Sequence, residues 1–344
     1  MKTRYITLIA LTLLVSKAYS QDVHFSHMEM SPLTLNPALA GANSPMQGII
    51  NYRNQWNSVA VPYSTIAASF DARFNDNKRQ KKGIIAGGIN FFNDQAGDLR
   101  MNTTNVNVNL AYHLILDKTS TLGLGIYTGY AQRSISPDGG KWGSQYDGTS
   151  YIAALSSGET FNNPSFGFID AGAGILYTYK NGSGYMTQNK QRQFNWGFAM
   201  YHVNRPNYSY LDTGNEKLYM RMSGFINANI GITNTRGSIL PGIYYHRQKT
   251  AQEIFYGAYY KYQLTEGSKV TSFSKPMSMS IGLFHRFKDA LVGKFMFEYD
   301  MFAAGFAYDI NLSSLTEVSR SRGGFELFLR FNMPDSQGMS RSRI

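Results

Sequence analysis

Hydrophobic and polar residues alternate along most of this chain, and the pattern is clearest near its C-terminal end. Between Phe302 and Asn311, aromatic and aliphatic residues occupy most even-numbered positions, whereas alanine, glycine and polar residues occupy the odd-numbered ones. After a turn, every second residue from Phe325 to Phe331 is again large and apolar. Because successive residues of a β-strand point to opposite faces, each run predicts a strand with one apolar face and one small or polar face.

The same alternation recurs from residue 46 onward. It predicts about fourteen strands, many of them about ten residues long, which is typical of a transmembrane β-barrel. A soluble β-sandwich or propeller is the alternative, but the strands of a sandwich commonly have about five or six residues. Aromatic residues also cluster near the strand ends, as they do at membrane interfaces. The sequence therefore predicts an all-β chain that folds as a transmembrane antiparallel β-barrel.

The N-terminus does not share this pattern. Lys2 and Arg4 precede a short apolar stretch, and small residues flank a possible cut before Gln21, which is typical of a secretory signal peptide. We expect a cleaved signal peptide at residues 1–20, followed by an irregular segment at 21–45 with one short helical turn, lying in the periplasm or the barrel lumen. The barrel is expected at residues 46–331, and a polar C-terminal tail at 332–344.

The charge balance affects the predicted surface and partners. The whole chain carries a net charge of +11, and removal of Lys2, Arg4 and Lys17 with the signal peptide leaves 11 − 3 = +8. For an exported protein, basic loops that face anionic lipid head groups or acidic partners explain this charge better than nucleic-acid binding does. The chain has no cysteine, which excludes disulfides, thiol catalysis and cysteine-based metal sites.

An even number of strands would place both ends of the mature chain on the periplasmic side. The loops after odd-numbered strands would then face outward, including the longest one, at about residues 134–164. The turn at residues 75–82 is rich in lysine and arginine and would be periplasmic, as would the C-terminal tail.

Residues with catalytic or metal-binding potential are scattered. His24 and His27 form the only close histidine pair, and a solvated polar segment explains them better than a metal site does. No Gly-x-Ser-x-Gly motif precedes a helix. The sequence therefore predicts no catalytic, cofactor-binding or metal-binding residue. Glycines inside the strands mark bends or make room for something in the lumen, and bends are the favoured interpretation for most of Gly87, Gly123, Gly125, Gly172, Gly174, Gly197, Gly282 and Gly305.

Charged residues with inward parity or at strand ends predict a network of ion pairs in the lumen. The alternative is a selectivity lining or a contact surface for a threaded ligand. Closure of the barrel would bring strand one beside strand fourteen, so we predict a salt bridge between Arg53 and Glu326. The set comprises Asp170, Lys180, Arg221, Lys261, Arg286, Lys294, Glu298, Asp309, Glu326 and Arg330.

Five motifs stand out near the two ends of the predicted mature chain: Gln21-Asp-Val-His-Phe-Ser-His, Pro32-Leu-Thr-Leu-Asn-Pro-Ala-Leu-Ala-Gly41, Tyr52-Arg-Asn-Gln-Trp56, Ala304-Gly-Phe-Ala-Tyr-Asp-Ile-Asn-Leu-Ser-Ser-Leu315 and Gly323-Gly-Phe-Glu-Leu327. Together they resemble the PorP/SprF family of the type IX secretion and gliding machinery of the Bacteroidota. Departures from the family pattern are Met28-Glu-Met30, where an aromatic-containing segment is more usual, and the polar tail after Phe331.

The resemblance implies a multi-pass outer-membrane protein without enzymatic activity or cofactor. Such proteins support the secretion or surface attachment of a type IX cargo, often an adhesin with a C-terminal domain, and some act with periplasmic motor-associated or peptidoglycan-binding components. The motifs mark candidate partner-binding or structural residues: Asn36, Pro37, Gly41, Arg53, Trp56, Asp309, Gly323, Gly324 and Glu326.

Two other functions remain open from the sequence. A polar lumen and a long loop that folds inward would also suit a porin or a small-molecule transporter. An outer-membrane enzyme is the third alternative, and it would need a compact cluster of histidine, serine and aspartate at one rim.

Overall fold

The computed structural model describes residues 22–56, 61–75, 82–136, 140–159, 164–182, 184–185, 188–210, 216–267, 274–313 and 316–333. The predicted signal peptide at 1–20, the basic residues of the turn at 76–81 and the tail from residue 334 lie outside the described residues. No helix in the described ranges is long and apolar enough to cross a membrane.

Fourteen antiparallel strands form one closed barrel, as the alternation predicts. Each strand pairs with its neighbours in the sequence, and β1 pairs with β14 to close the ring. A separate two-residue hairpin, Gly184–Tyr185 with Gln188–Asn189, precedes β7. The strands are β1 Met46–Gln55, β2 Tyr63–Arg73, β3 Gly83–Ala96, β4 Met101–Ile115, β5 Ser120–Ser134, β6 Ser165–Asn181, β7 Arg192–Tyr201, β8 Arg221–Gly231, β9 Gly237–Gln248, β10 Ala251–Thr265, β11 Met277–Arg286, β12 Ala290–Tyr299, β13 Phe302–Asn311 and β14 Arg322–Asn332.

The apolar face of the strands points away from the barrel. Leu329, for example, is 63% exposed and Ile126 is 59% exposed, whereas their polar neighbours Asn51 and Asn109 point inward and are buried. A protein in water would leave this band of large apolar side chains unburied, but a bilayer covers it. Closed pairing also satisfies the backbone N–H and C=O groups that no water could reach at that depth.

The two ends of the barrel differ, and we name them here. At the loop end lie the long connections at residues 135–164 and 202–220. At the turn end, β1 begins and β14 ends. The register at the closing seam sets Arg53 opposite Glu326, toward the loop end, and Gly48 opposite Phe331, toward the turn end.

β8 begins at Arg221, and before it the N–H of Leu218 donates to the carbonyl of Pro206 inside the connection from β7. The segment before β1 contains three short helical turns rather than one, at Met28–Met30, Pro32–Leu35 and Pro37–Leu39.

Candidate functional site

Residues 22–45, here called the lumen segment, run through the inside of the barrel from one end to the other. Asp22 lies at the loop end, where its carboxylate contacts His202 and Gln248. Gly41 lies at the turn end, where its N–H donates to Asp71 at 2.8 Å. The first and last described residues therefore lie at opposite ends of the barrel, because the lumen segment spans the lumen before β1 begins. This differs from the prediction that both ends of the mature chain lie on the same side.

The lumen segment keeps a compact form through local capping. Proline opens both Pro32–Leu35 and Pro37–Leu39, where its fixed φ suits the first helical position. The side-chain oxygen of Asn36 accepts the N–H of Ala38 at 2.8 Å. The amide nitrogen of Asn36 donates to the carbonyls of Ile175 and Phe198, at 2.9 and 3.3 Å. One fully buried asparagine thus caps a turn and ties it to two strands.

Three strand glycines make room for this turn. A Cβ at Gly125 would lie 2.3 Å from the backbone nitrogen of Ala38, and one at Gly174 would lie 2.1 Å from the Asn36 side-chain oxygen. Gly197 faces the Asn36 amide nitrogen in the same way, at 2.7 Å. These distances are below any normal contact, so the lumen segment can approach the wall only where the wall has no side chain.

The other five glycines that the sequence analysis named also face close neighbours. A Cβ at Gly282 would lie 2.5 Å from Tyr259, and one at Gly305 would lie 2.3 Å from Phe328. The contacts at Gly87, Gly123 and Gly172 are similarly close. Space for a neighbour, rather than a bend, is therefore what these positions share, and the favoured interpretation as bends is not supported.

Replacing Gly174 with valine should push the lumen segment away from β6. The new side chain would collide with Asn36, so we expect a loss of about 1–3 kcal/mol in unfolding free energy, the usual result of overpacking. Limited proteolysis should also cut the lumen segment faster. Gly293→Val in β12 is the matched control, because a Cβ there meets nothing within 4 Å. Equal effects of the two substitutions would contradict the close packing of the segment.

A buried ionic cluster holds the segment at the closing seam. Arg53 Nη2 lies 3.0 Å from Asp309 Oδ2, and Arg53 Nη1 lies 3.3 Å from Glu326 Oε2, so the predicted salt bridge to Glu326 is confirmed. The Glu326 carboxylate accepts the backbone N–H groups of Ser26 and His27, at 2.6 and 3.0 Å. The Ser26 hydroxyl donates to Asp309 at 2.7 Å. The first strand and the last two strands of the barrel are thus joined to one another and to the lumen segment.

Arg286 extends this cluster along the wall. Its guanidinium lies 3.1 Å from Asp309, 2.9 Å from Glu253 and 3.2 Å from Asp289. Its Nη2 also donates to the Ser26 hydroxyl at 3.2 Å. Buried charges of one sign are costly unless charges of the other sign surround them. We call Ser26, Arg53, Arg286, Asp309 and Glu326 the seam cluster.

A second ionic contact lies deeper in the lumen. Lys294 Nζ lies 3.3 Å from both carboxylate oxygens of Glu29 and 3.9 Å from the centre of the Phe284 ring. The Tyr259 hydroxyl donates to Glu29 and lies 3.1 Å from His27 Nδ1. Glu29 belongs to the stretch where the sequence departs from the family pattern, and here it neutralises a lysine of the wall.

At the loop end, His202 joins the tip of the lumen segment to the wall. Its Nε2 lies 2.6 Å from Asp22 and its Nδ1 lies 2.9 Å from Asp170. Burial lowers the pKa of His202, but the carboxylates of Asp22 and Asp170 outweigh burial and raise the pKa to about 9. His202 is therefore charged at neutral pH and forms ion pairs. A hydrolase of the Ser–His–Asp type would have a serine bonded to such a histidine. Among the described residues, no serine hydrogen-bonds to His202.

At the turn end, the lumen segment meets β2 and β4. Arg73 Nε donates to the carbonyl of Gly41 at 2.6 Å, and His113 Nε2 lies 2.7 Å from the carbonyl of Ala40. Gly41 has φ +64°, which favours glycine, and a Cβ there would lie 2.4 Å from Ala86. A cavity of about 260 Å³ remains between the segment and this end, lined by Gln193, Asn195, Asn227, Lys261, Glu298 and Arg330, among others.

The structure joins most of the motif residues into one arrangement. Asn36, Pro37 and Gly41 lie in the lumen segment, and Arg53, Asp309 and Glu326 hold it. Trp56 lies outside this arrangement. Its backbone N–H donates to the carbonyl of Gly323, and its ring packs edge-on against Tyr63 at the loop end. Gly324 lies opposite Gln55 at the seam. The predicted network of lumen ion pairs also forms, although Lys180 is exposed near the end of β6.

Sequence reasoning missed the residues that the lumen segment itself contributes. The interpretation of His24 and His27 as a solvated segment is wrong: His27 is fully buried and packs edge-on against Phe328, with ring centres 4.7 Å apart. Ser26 and Glu29 were also missed, because no periodicity marks them. In the described part of the chain, no three histidine or acidic side chains come together in a way that could hold a metal ion.

Comparisons with known proteins give one family match. The family described as "Type IX secretion system membrane protein PorP/SprF" matches residues 17–331 of this chain. No curated protein matches.

Several solved structures show a distant likeness. CdiB from Acinetobacter baumannii is 8% identical, with a TM-score of 0.40, and the match covers 84% of this chain and 60% of CdiB. The CymD monoaromatic hydrocarbon channel is 9% identical, with a TM-score of 0.43, and the match covers 89% of this chain and 93% of CymD. BamA from Haemophilus ducreyi lacking POTRA domains 1–3 is 7% identical, with a TM-score of 0.40, and the match covers 84% of this chain and 71% of BamA.

Proposed function

Because this chain belongs to the PorP/SprF family of type IX secretion system membrane proteins, we propose that it supports secretion or surface anchoring of a protein cargo such as an adhesin. It is an outer-membrane β-barrel of that secretion system. The proposal gives the barrel the role of a closed receptor in the membrane, which binds the C-terminal domain of the cargo at the loop end.

The filled lumen is the observation that carries this proposal. The lumen segment crosses the barrel and is fixed at the seam, in the middle and at the turn end by side chains or backbone carbonyls of at least six strands. A pore for small molecules needs a continuous water-filled path. A barrel whose inside is packed with its own chain suits binding at the rim better than passage through the centre.

The porin function therefore has less support than the anchoring function. An inward fold of the long connection at residues 135–164 would suit a porin, the alternative left open by the sequence. In the described part of this connection, residues 146–155 are exposed and bond mainly to one another. This connection is then available to a partner outside the barrel. The family and fold are those of a membrane barrel of a secretion system, and the sequence offers no catalytic motif.

The partners that follow from the proposal are the lipid around the apolar band, a type IX cargo at the loop end, and periplasmic type IX or peptidoglycan-binding components at the turn end. With the loop end outward, the turn end faces the periplasm. The proposal also includes a cleaved signal peptide at residues 1–20.

Surface display of cargo tests the proposal. In cells that lack this chain, at least one type IX adhesin should be lost from the cell surface and appear in the medium or the periplasm. Cross-linking in intact cells should join the chain to that same adhesin through its C-terminal domain. A variant that lacks residues 140–159 but keeps its folded barrel should lose the cross-link. If every type IX cargo stays on the surface when the chain is deleted, the proposal fails.

A further inference from the structure

Exposed cations are concentrated on one half of the loop end. They lie on the four connections between β7 and β14, at or next to the ends of the strands. We name this set the basic arc: Arg205, Lys217, Arg247, Lys249, Lys288, Arg320 and Arg322, all exposed. The other half of the loop end is not basic. Its described connections carry Arg100 and Lys141 against Asp98, Asp147 and Glu159.

Two carboxylates near the basic arc pair with an interior cation. Asp289 lies in the same turn as Lys288, and Glu253 is the third residue of β10, which follows Lys249. Both pair with the buried Arg286 of the seam cluster. Glu216 is exposed next to Lys217. Among the described side chains, Arg205, Lys217 and Lys288 form no ion pair, so these cations remain available at the rim.

The basic arc also lies at the level of a membrane interface. Lys249 Nζ sits 4.1 Å from the centre of the Tyr219 ring, and Lys288 Nζ sits 5.3 Å from the centre of the Phe287 ring. Both rings are exposed, and Phe287 has the same parity as Leu283, which lies on the outer face of β11. Aromatic residues mark the head-group level of a membrane, and lysine side chains extend along apolar surface to place their charge there.

We infer that the basic arc binds the phosphate groups of an anionic glycolipid of the lipid A type in the leaflet at the loop end. Arginine and lysine are the side chains that bind phosphate, by charge-assisted hydrogen bonds. Paired cations two residues apart, Arg247 with Lys249 and Arg320 with Arg322, suit a head group that carries two phosphates. This inference concerns lipid and does not depend on cargo binding. If the barrel anchors cargo but does not bind such a lipid, the lipid inference fails and the proposed function stands.

Native mass spectrometry of the full mature barrel in lipid nanodiscs tests the inference. The three nanodisc compositions are phosphatidylethanolamine alone, the same lipid with phosphatidylglycerol, and the same lipid with lipid A. We expect the barrel to retain lipid A about tenfold more than phosphatidylglycerol, because lipid A offers two phosphates to the paired cations whereas phosphatidylglycerol offers one. Equal retention of the two anionic lipids would overturn the assignment to a phosphorylated glycolipid.

A matched pair of triple variants separates a site from general charge. The variant with Lys288→Gln, Arg320→Gln and Arg322→Gln should lose about tenfold in lipid A retention. The control carries Lys82→Gln, Lys118→Gln and Lys190→Gln, three exposed cations at the turn end, and should retain lipid A as the unmodified barrel does. Circular dichroism and a heat-dependent shift in gel mobility should be used to check that both variants are folded. An equal loss in both variants, or no loss in either, would overturn the inference.

Discussion

Removing residues 22–42 from the mature chain should convert a closed barrel into one that conducts ions. The segment occupies the lumen along its whole length, and Ser26, His27 and Asn36 in it are fully buried. Barrels of about eight strands are filled by their own side chains, whereas barrels of about sixteen or more enclose a channel. A fourteen-stranded barrel lies near the upper limit, so it has a space that the lumen segment fills. Planar-bilayer recording should show steady openings for the deletion variant and none for the intact chain.

A second deletion distinguishes this explanation from a porin closed by its loop. A variant without residues 140–159 keeps the lumen segment, so it should remain closed. If instead the loop deletion conducts and the deletion of residues 22–42 does not, the long connection closes the barrel and the anchoring proposal loses its main support. The Gly174→Val variant, which keeps the whole chain, should show brief openings. That result would hold even if the larger deletion failed to fold.

The barrel was predictable because the bilayer imposes a rule on every second residue. Lipid contact requires apolar side chains such as Ile126 and Leu329 at one parity, whatever the chain does elsewhere. A bilayer leaves no water to pair the edges of an open sheet, so the strands were expected to close into a barrel, and closure then predicted the contact between Arg53 and Glu326. These inferences need only the local period and the order of the strands.

The filling of the lumen was not predictable in the same way. Residues 22–45 have no period, because they contact strands on all sides and their partners are distant in sequence: Ser26 meets Glu326, 300 residues away. The glycines of the wall carried a signal, since space for something in the lumen was one of two interpretations. The sequence alone could not decide between them, because bends and close approach both require glycine. His27 was misjudged because histidine is usually found at least partly exposed.

The substitution Arg53→Met should be among the most destabilising single changes in this chain. It leaves two carboxylates, Asp309 and Glu326, in a site where the side chains are at most 4% exposed. Removing one partner of a buried ion pair costs about 3–5 kcal/mol, because the remaining charge stays desolvated and unpaired. Unfolding in urea, with the barrel in lipid vesicles, should show a loss in this range. The control Lys275→Met breaks an exposed pair with Asp300, and it should change the stability far less because water screens that pair.

Adding Glu326→Gln to Arg53→Met should recover part of the lost stability. The double variant removes one unpaired charge, while the new amide oxygen can still accept an N–H from Ser26 or His27, and Arg286 still neutralises Asp309. Glu326→Gln alone should destabilise the barrel, because it leaves Arg53 with one carboxylate instead of two. If the double variant is less stable than Arg53→Met, the cost of that substitution comes from lost packing and hydrogen bonds rather than from buried charge. Faster proteolysis of the lumen segment in Arg53→Met, with slower proteolysis in the double variant, would show that the same charges fix the segment at the seam.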